Sequence, residues 1–232
     1  MQKLAIDIFI NFLQNPPNHF LLEKLKKEEF WQNWFLKNNS KLQCTALKLL
    51  SSSNEDDKLI ASDFTSLFLS DVDYVKAPPF ASFYLDENKE IYSDNSDKVK
   101  QIFAQNNFFS FFNEEPADSL INELLFISFL IKKQDDIILQ KFLKEEFFTW
   151  FNMWSFDVIN KAKTHFYKAL TMLMQDFFNQ LNTKLTQVNF FLLFKIYNIS
   201  FTLKRRNYDK RTNTNHQRLC AYFAKKWSRF NQ

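Results

Sequence analysis

The chain contains no glycine in 232 residues, where ordinary usage of about 7% would supply roughly 16. That absence excludes whole classes of protein. Phosphate-cradling loops need glycine so that the backbone can approach the phosphates. Both the P-loop and the dinucleotide fingerprint are therefore out of reach, and so is a GxSxG nucleophile elbow. Tight I′ and II′ hairpin turns are disfavoured, which argues against a hairpin-rich sheet. Helices can still close, because asparagine tolerates the left-handed conformation. Asn38-Asn39 and Asn106-Asn107 stand where that is needed.

With 46% hydrophobic and 24% charged residues, the chain has the balance of a globular protein. The two cysteines, Cys44 and Cys220, form no CxxC pair, so neither a disulfide framework nor a structural zinc site is expected. The first residues, MQKLAIDIFINFLQ, carry Asp7 and Asn11 inside the apolar run and lead to no small-residue cleavage site. They do not read as a signal peptide. The longest apolar stretch, Asn189 to Leu203, is interrupted by Lys195 and is shorter than the ~20 residues a membrane span requires. A cytoplasmic location is expected.

Periodicity indicates an all-α fold. Leu4, Ile8 and Phe12 are four apart, and Pro16-Pro17 ends that helix. Phe30, Trp31, Trp34 and Phe35 mark a helix face within 20–37, and Leu42, Ala46, Leu49 and Leu50 mark another over 40–50. The run SSSNEDDK over 51–58 offers N-caps to a helix over 59–69. Residues 70–96 read as an ordered loop, because Pro78-Pro79 cannot sit inside a helix. Helix is expected again over 97–112. A break at Asn113-Glu114-Glu115-Pro116 follows, and then a helix to Lys133 with Pro116 in its first turn. Further helices are expected over 135–152, 155–182 and 185–203, and a short one over 217–230 after a polar linker. No internal repeat is visible.

Charge divides the chain unevenly. Residues 204–232 hold nine Lys/Arg against the single acid Asp209, a charge of +8. The rest holds 21 basic and 25 acidic residues, a charge of −4. We therefore expect one helical domain over 1–203, with a hinge-like loop near 113–118, and a basic segment over 204–232. Lys204-Arg205-Arg206, Lys210-Arg211 and Lys225-Lys226 interleave with Tyr208, Tyr222 and Trp227, a composition that suits nucleic acid or an acidic partner surface. A solvated amphipathic helix is the plainer alternative.

Glu114, Glu115, Asp118 and Glu123 fall within ten positions. Clustered carboxylates can serve acid–base catalysis, but nothing completes such a centre. His19, His165 and His216 are far apart, and none belongs to a metal-binding HExxH pair. No enzyme activity, metal or cofactor is expected. Carboxylates also accept bidentate hydrogen bonds from arginine. Asp118 can equally be a helix cap. Trp150, Phe166 and Tyr167 fit the core, as do Phe83 and Tyr84.

Three stretches together resemble the TorD/DmsD/NarJ family of molybdoenzyme maturation chaperones. Pro78-Pro79-Phe80-Ala81-Ser82-Phe83-Tyr84 is similar to the family's PPYxSVY-type loop. Residues 115–126, EPADSLINELLF, are similar to its EPxDHxxxELxF signature. Phe142-Leu143 through Trp150, with Phe166-Tyr167-Lys168-Ala169-Leu170, is similar to its FLxxHLxxW…FYxAL pattern. Order and approximate spacing agree over about residues 60–180. Ser119 and Glu146 stand where the two patterns carry histidine.

The resemblance implies an all-α, TorD-like bundle, monomeric or a domain-swapped dimer. It implies a chaperone that binds the twin-arginine signal peptide and the apo form of a molybdopterin oxidoreductase, such as a formate dehydrogenase, before cofactor insertion and export. The peptide-binding candidates are the carboxylates of Asp118, Glu123, Glu115 and Glu114 for the arginines, Ser119 at the position of the pattern's histidine, and Pro79, Phe80, Phe83 and Tyr84 for the apolar part. The alternative is a nucleic-acid-associated helical protein acting through the tail.

Overall fold

The computed structural model describes residues 2–25, 27, 39–69, 74–89, 91, 93–112 and 114–205, with side chains to 187. The expected basic linker, the last short helix and the aromatic face at 30–35 lie outside these residues, as does Asn38. Chain contacts gather Met1–Leu185 into one compact unit and Thr186–Gln232 into another.

The fold is all-α. It comprises α1 (Gln2–Gln14), α2 (His19–Leu25), α3 (Lys41–Ser51), α4 (Asp57–Phe64), α5 (Ala81–Leu85), α6 (Asp94–Gln105), α7 (Leu120–Lys133), α8 (Asp136–Phe142), α9 (Phe148–Lys161) and α10 (His165–Arg205). A π-helical turn extends α4 over Thr65–Leu69, and a second joins α8 to α9 over Leu143–Phe147. Among the described residues there is no strand, only one isolated antiparallel bridge between Phe80 and Ser119.

Side-chain oxygens start several of the helices. Ser40 accepts from Gln43 N–H and Asp56 from Leu59 N–H, so the polar turn at 51–58 caps α4 as expected. Left-handed residues end others. Asn107 (φ 56°) follows α6, and Gln134 (φ 59°) closes α7. Asn39 is left-handed too, at φ 57°. A chain without glycine thus places amide side chains at three of the four left-handed positions among the described residues, the fourth being Lys89 at φ 54°.

Aromatic side chains form much of the core. Phe147 and Phe151 of the 143–161 stretch meet Phe178 of α10, with ring centroids 4.6 and 5.4 Å apart. Phe126 of α7 lies between Phe103 and Phe142, at 4.7 and 4.9 Å. α1 packs on α7 and sends Phe9 and Phe12 to Phe177 and Phe166. Trp150, Phe166 and Tyr167 are buried as expected.

Several boundaries differ from the expectation. The irregular segment 70–96 contains α5. α6 begins at Asp94, where Ser93 caps it, and ends at Gln105; Phe108–Phe112 is not helical. Pro116 is not in the first turn of α7. Ser119 is the N-cap, and the Pro116 carbonyl accepts the Ser119 N–H at 3.0 Å. The break expected near residue 153 falls instead at 162–164. The break near 184 does not occur, because α10 runs unbroken. The physical cause of the break at 162–164 is tertiary. Asp63 accepts the N–H groups of Lys163 and Thr164, and Glu55 accepts those of His165 and Phe166. Four donors leading into α10, those of residues 163–166, are satisfied by acids about a hundred residues away, which no local reading reveals.

Candidate functional site

The Pro78–Tyr84 loop and the junction at 114–123 meet. The Phe80–Ser119 bridge pairs them antiparallel: Ala81 N–H donates to the Asp118 carbonyl at 3.0 Å and Leu120 N–H to the Pro79 carbonyl at 2.8 Å. Phe80 provides no side-chain cap for α5. The Asp118 carboxylate supplies one from 36 residues away, its Oδ2 accepting the Ser82 N–H at 2.8 Å and the more distant Asn95 amide at 3.5 Å. Asp118 is fully buried, and its Oδ1 has no hydrogen-bond partner. Ser119, where the resembling pattern has histidine, is also buried and caps α7 by accepting from Asn122 N–H at 3.3 Å.

Beneath this seam Glu123 is fully buried and accepts from Trp150 Nε1–H at 3.1 and 3.3 Å. Burial pushes its carboxyl well above the usual carboxylate range. The Trp150 bond pulls the other way, and the nearby charges of Asp118 and Glu146 add to the rise. Glu146 itself pairs with Lys98 at 2.6 Å. Tyr84 stacks on Trp150 with centroids 6.0 Å apart. Burial raises its phenol, and Asp157, 3.5 Å from the hydroxyl, raises it further.

The candidate residues therefore separate by depth. Asp118, Ser119 and Glu123 lie inside. Pro79, Phe80, Phe83 and Tyr84 are half-buried, and Glu114 and Glu115 face solvent.

Asn122 was not among the candidates, yet it organises the junction. Its amide nitrogen donates to the carbonyls of Pro116 (2.9 Å), Phe112 and Glu115 (both 3.4 Å), and its oxygen accepts from the Ser110 hydroxyl. A signal for it existed: an amide four positions before the core residue Phe126, on the apolar side of a helix, must find partners. Ser82, Asn95 and Ser96 gave no such signal, since their partners lie 21 to 36 residues away.

Among the described residues no group of three His, Cys, Asp or Glu side chains is placed to hold a metal ion, and no helix is long and apolar enough to cross a membrane. A family model described as nitrate reductase delta subunit matches residues 36–154. No curated protein matches the sequence. Among solved structures, the chain is similar to a protein from Archaeoglobus fulgidus described as a candidate redox enzyme maturation protein. The TM-score is 0.50 at 20% identity, over 78% of this chain and 93% of that one. At that identity the likeness is one of fold.

Proposed function

The chain belongs to the nitrate reductase delta subunit family of non-catalytic redox enzyme maturation chaperones, whose model spans half its length, and from that premise we propose that it binds the twin-arginine signal peptide and apo form of a molybdopterin oxidoreductase in the cytoplasm. The client, for which formate dehydrogenase is our choice, would be held until its cofactor is inserted and then released for export.

The observation that carries this reading is the backbone pairing of the loop at 78–84 with the junction at 114–123. It brings aromatic rings and carboxylates to one seam. A twin-arginine peptide presents two guanidinium groups and then an apolar run, so its receptor needs both kinds of group. Glu114 and Glu115 are the acids on the surface. Phe80, Phe83 and Tyr84 supply the half-buried aromatic surface. Asp118, Ser119 and Glu123 hold the seam from within and reach a peptide only if it opens. Binding of this kind is reversible and needs no covalent step.

Calorimetric titration with twin-arginine leader peptides of molybdoenzymes, beside versions with both arginines changed to lysine, tests the reading. Tight binding of one leader, weakened by the lysine change, supports it; no binding of any leader overturns it. Asp118→Ala should weaken leader binding. Unchanged affinity in a folded variant removes Asp118 from the site.

A further inference from the structure

The two most exposed phenylalanines among the described residues stand next to this seam. Phe109 is 80% and Phe111 91% exposed. They belong to a ribbon over 108–112 whose side chains alternate. Phe108 packs inward on Phe103, Phe126 and Phe129, with centroids 5.0 to 5.3 Å away. Ser110 is tied to Asn122 and accepts the Phe112 N–H at 3.0 Å. Phe109 and Phe111 point to water between these anchors. Among the described residues, the backbone groups of Phe109 and Phe111 have no hydrogen-bond partner.

Two adjacent exposed rings on a fixed support are costly to leave in water and mark a binding surface. The support is rigid, because the buried amide of Asn122 holds the Phe112, Glu115 and Pro116 carbonyls together. A turn bond from Glu115 N–H to the Phe112 carbonyl (3.2 Å) brings the exposed Glu115 to the end of the ribbon.

Resting on the reading above, we infer that this ribbon is the docking edge for the leader. Phe109 and Phe111 cover its apolar run, Glu115 receives its arginines, and the peptide lies antiparallel to the ribbon. The direction follows from order. The ribbon runs apolar then acidic, whereas the ligand runs basic then apolar, so charge complementarity requires opposite senses. An extended peptide can also pair with the free main-chain groups at Phe109 and Phe111.

The test uses the full-length protein and a synthetic peptide with two consecutive arginines followed by an apolar run, with the same residues in reversed order as its counterpart. Phe109→Ala/Phe111→Ala should weaken binding of the first peptide by about tenfold or more. Glu115→Gln should weaken it severalfold, and the reversed peptide should bind poorly to the wild type. Both positions are exposed, so an unchanged thermal melt is expected.

Phe156→Ala is the control. Phe156 is 67% exposed on α9, beside an open groove of about 430 Å³ lined by Tyr84, Met153 and Asp157. If Phe156→Ala weakens binding and the double variant does not, the ribbon assignment falls while the chaperone reading stands. Equal affinity for the two peptide orders also overturns it. A wild-type dimer dispersed by the double variant would assign the ribbon to a second copy instead. Failure of the wild type to bind either peptide overturns both readings.

Discussion

Asp63 and Asp118 have the same task in two regions of the molecule and differ in what they leave over. Each is a buried aspartate that accepts main-chain N–H groups distant in sequence and so starts a helix. Asp63 accepts the Lys163 and Thr164 N–H groups at 2.9 to 3.1 Å and the Thr164 hydroxyl at 2.7 Å, using both oxygens. Asp118 accepts the Ser82 N–H and a distant amide on Oδ2, while Oδ1 is buried without a partner. A fully used carboxylate is a fastening. One with an unmet acceptor beside Glu123 has capacity for another donor, and its surroundings are under electrostatic tension. The first kind has its acceptors used up in holding the scaffold, and the second leaves an acceptor unused at the seam.

Removing each side chain separates the two aspartates most directly. Asp63→Ala strands several buried donors, each costing about 1–3 kcal/mol, so a loss of roughly 3–5 kcal/mol is expected in urea unfolding. Asp118→Ala strands chiefly the Ser82 N–H and should cost about 1–3 kcal/mol. The amide variants sharpen the difference. Asp63→Asn turns one of two used acceptors into a donor facing N–H groups, and should keep most of the alanine penalty. Asp118→Asn can keep an oxygen on Ser82 and put its amide where Oδ1 lacks a partner, so it should lie within about 1 kcal/mol of wild type. Equal costs for the two asparagine variants would show that the two aspartates are not different in kind.

Glu123 gives the next effect, in pH dependence. Its folded carboxyl holds its proton well above the 4.5 expected of the unfolded chain. Below that value both states are protonated and the contribution is whole. As pH rises the unfolded chain releases a proton that the native state keeps, so stability declines until the folded carboxyl ionises. Glu123→Gln removes the titration and can still accept from Trp150. Its urea midpoint should fall less than that of wild type between about pH 5 and 8. Parallel curves would place the charge on Glu123 already in the native state at low pH.

Much of this was legible in the sequence, and what was not has physical reasons. The missing glycines foretold helices closed by amides, and Asn107 does that; Gln134 does it too, though glutamine gives no comparable signal. The loop at 78–84 and the junction at 114–123 carried their own motifs, but that they touch is a tertiary fact. Asp118 looked like a cap and is one, for α5 rather than for the helix it precedes, whose cap is Ser119. Phe108 through Phe112 read as helix because four of the five residues are phenylalanine. Their alternation of buried and exposed has a period of two, and it surfaces only once Asn122 pins Ser110. The end of α9 was invisible because its cause, Asp63, lies a hundred residues upstream.

The smallest effect tests whether the tension at the seam extends to the surface. Lys98 is 56% exposed and pairs with Glu146, whose side chain is only 10% exposed. Lys98→Ala should cost no more than about 1 kcal/mol, as for other exposed partners of an ion pair. Its effect on Glu123 should be easier to read. Without Lys98 the Glu146 charge acts on Glu123 uncompensated, holding the Glu123 proton to still higher pH. The decline in stability with pH should then extend further than in wild type, and adding Glu146→Gln should bring it back. High salt should reduce the direct cost of Lys98→Ala more than it reduces the shift, because the pair is partly exposed and Glu123 is not.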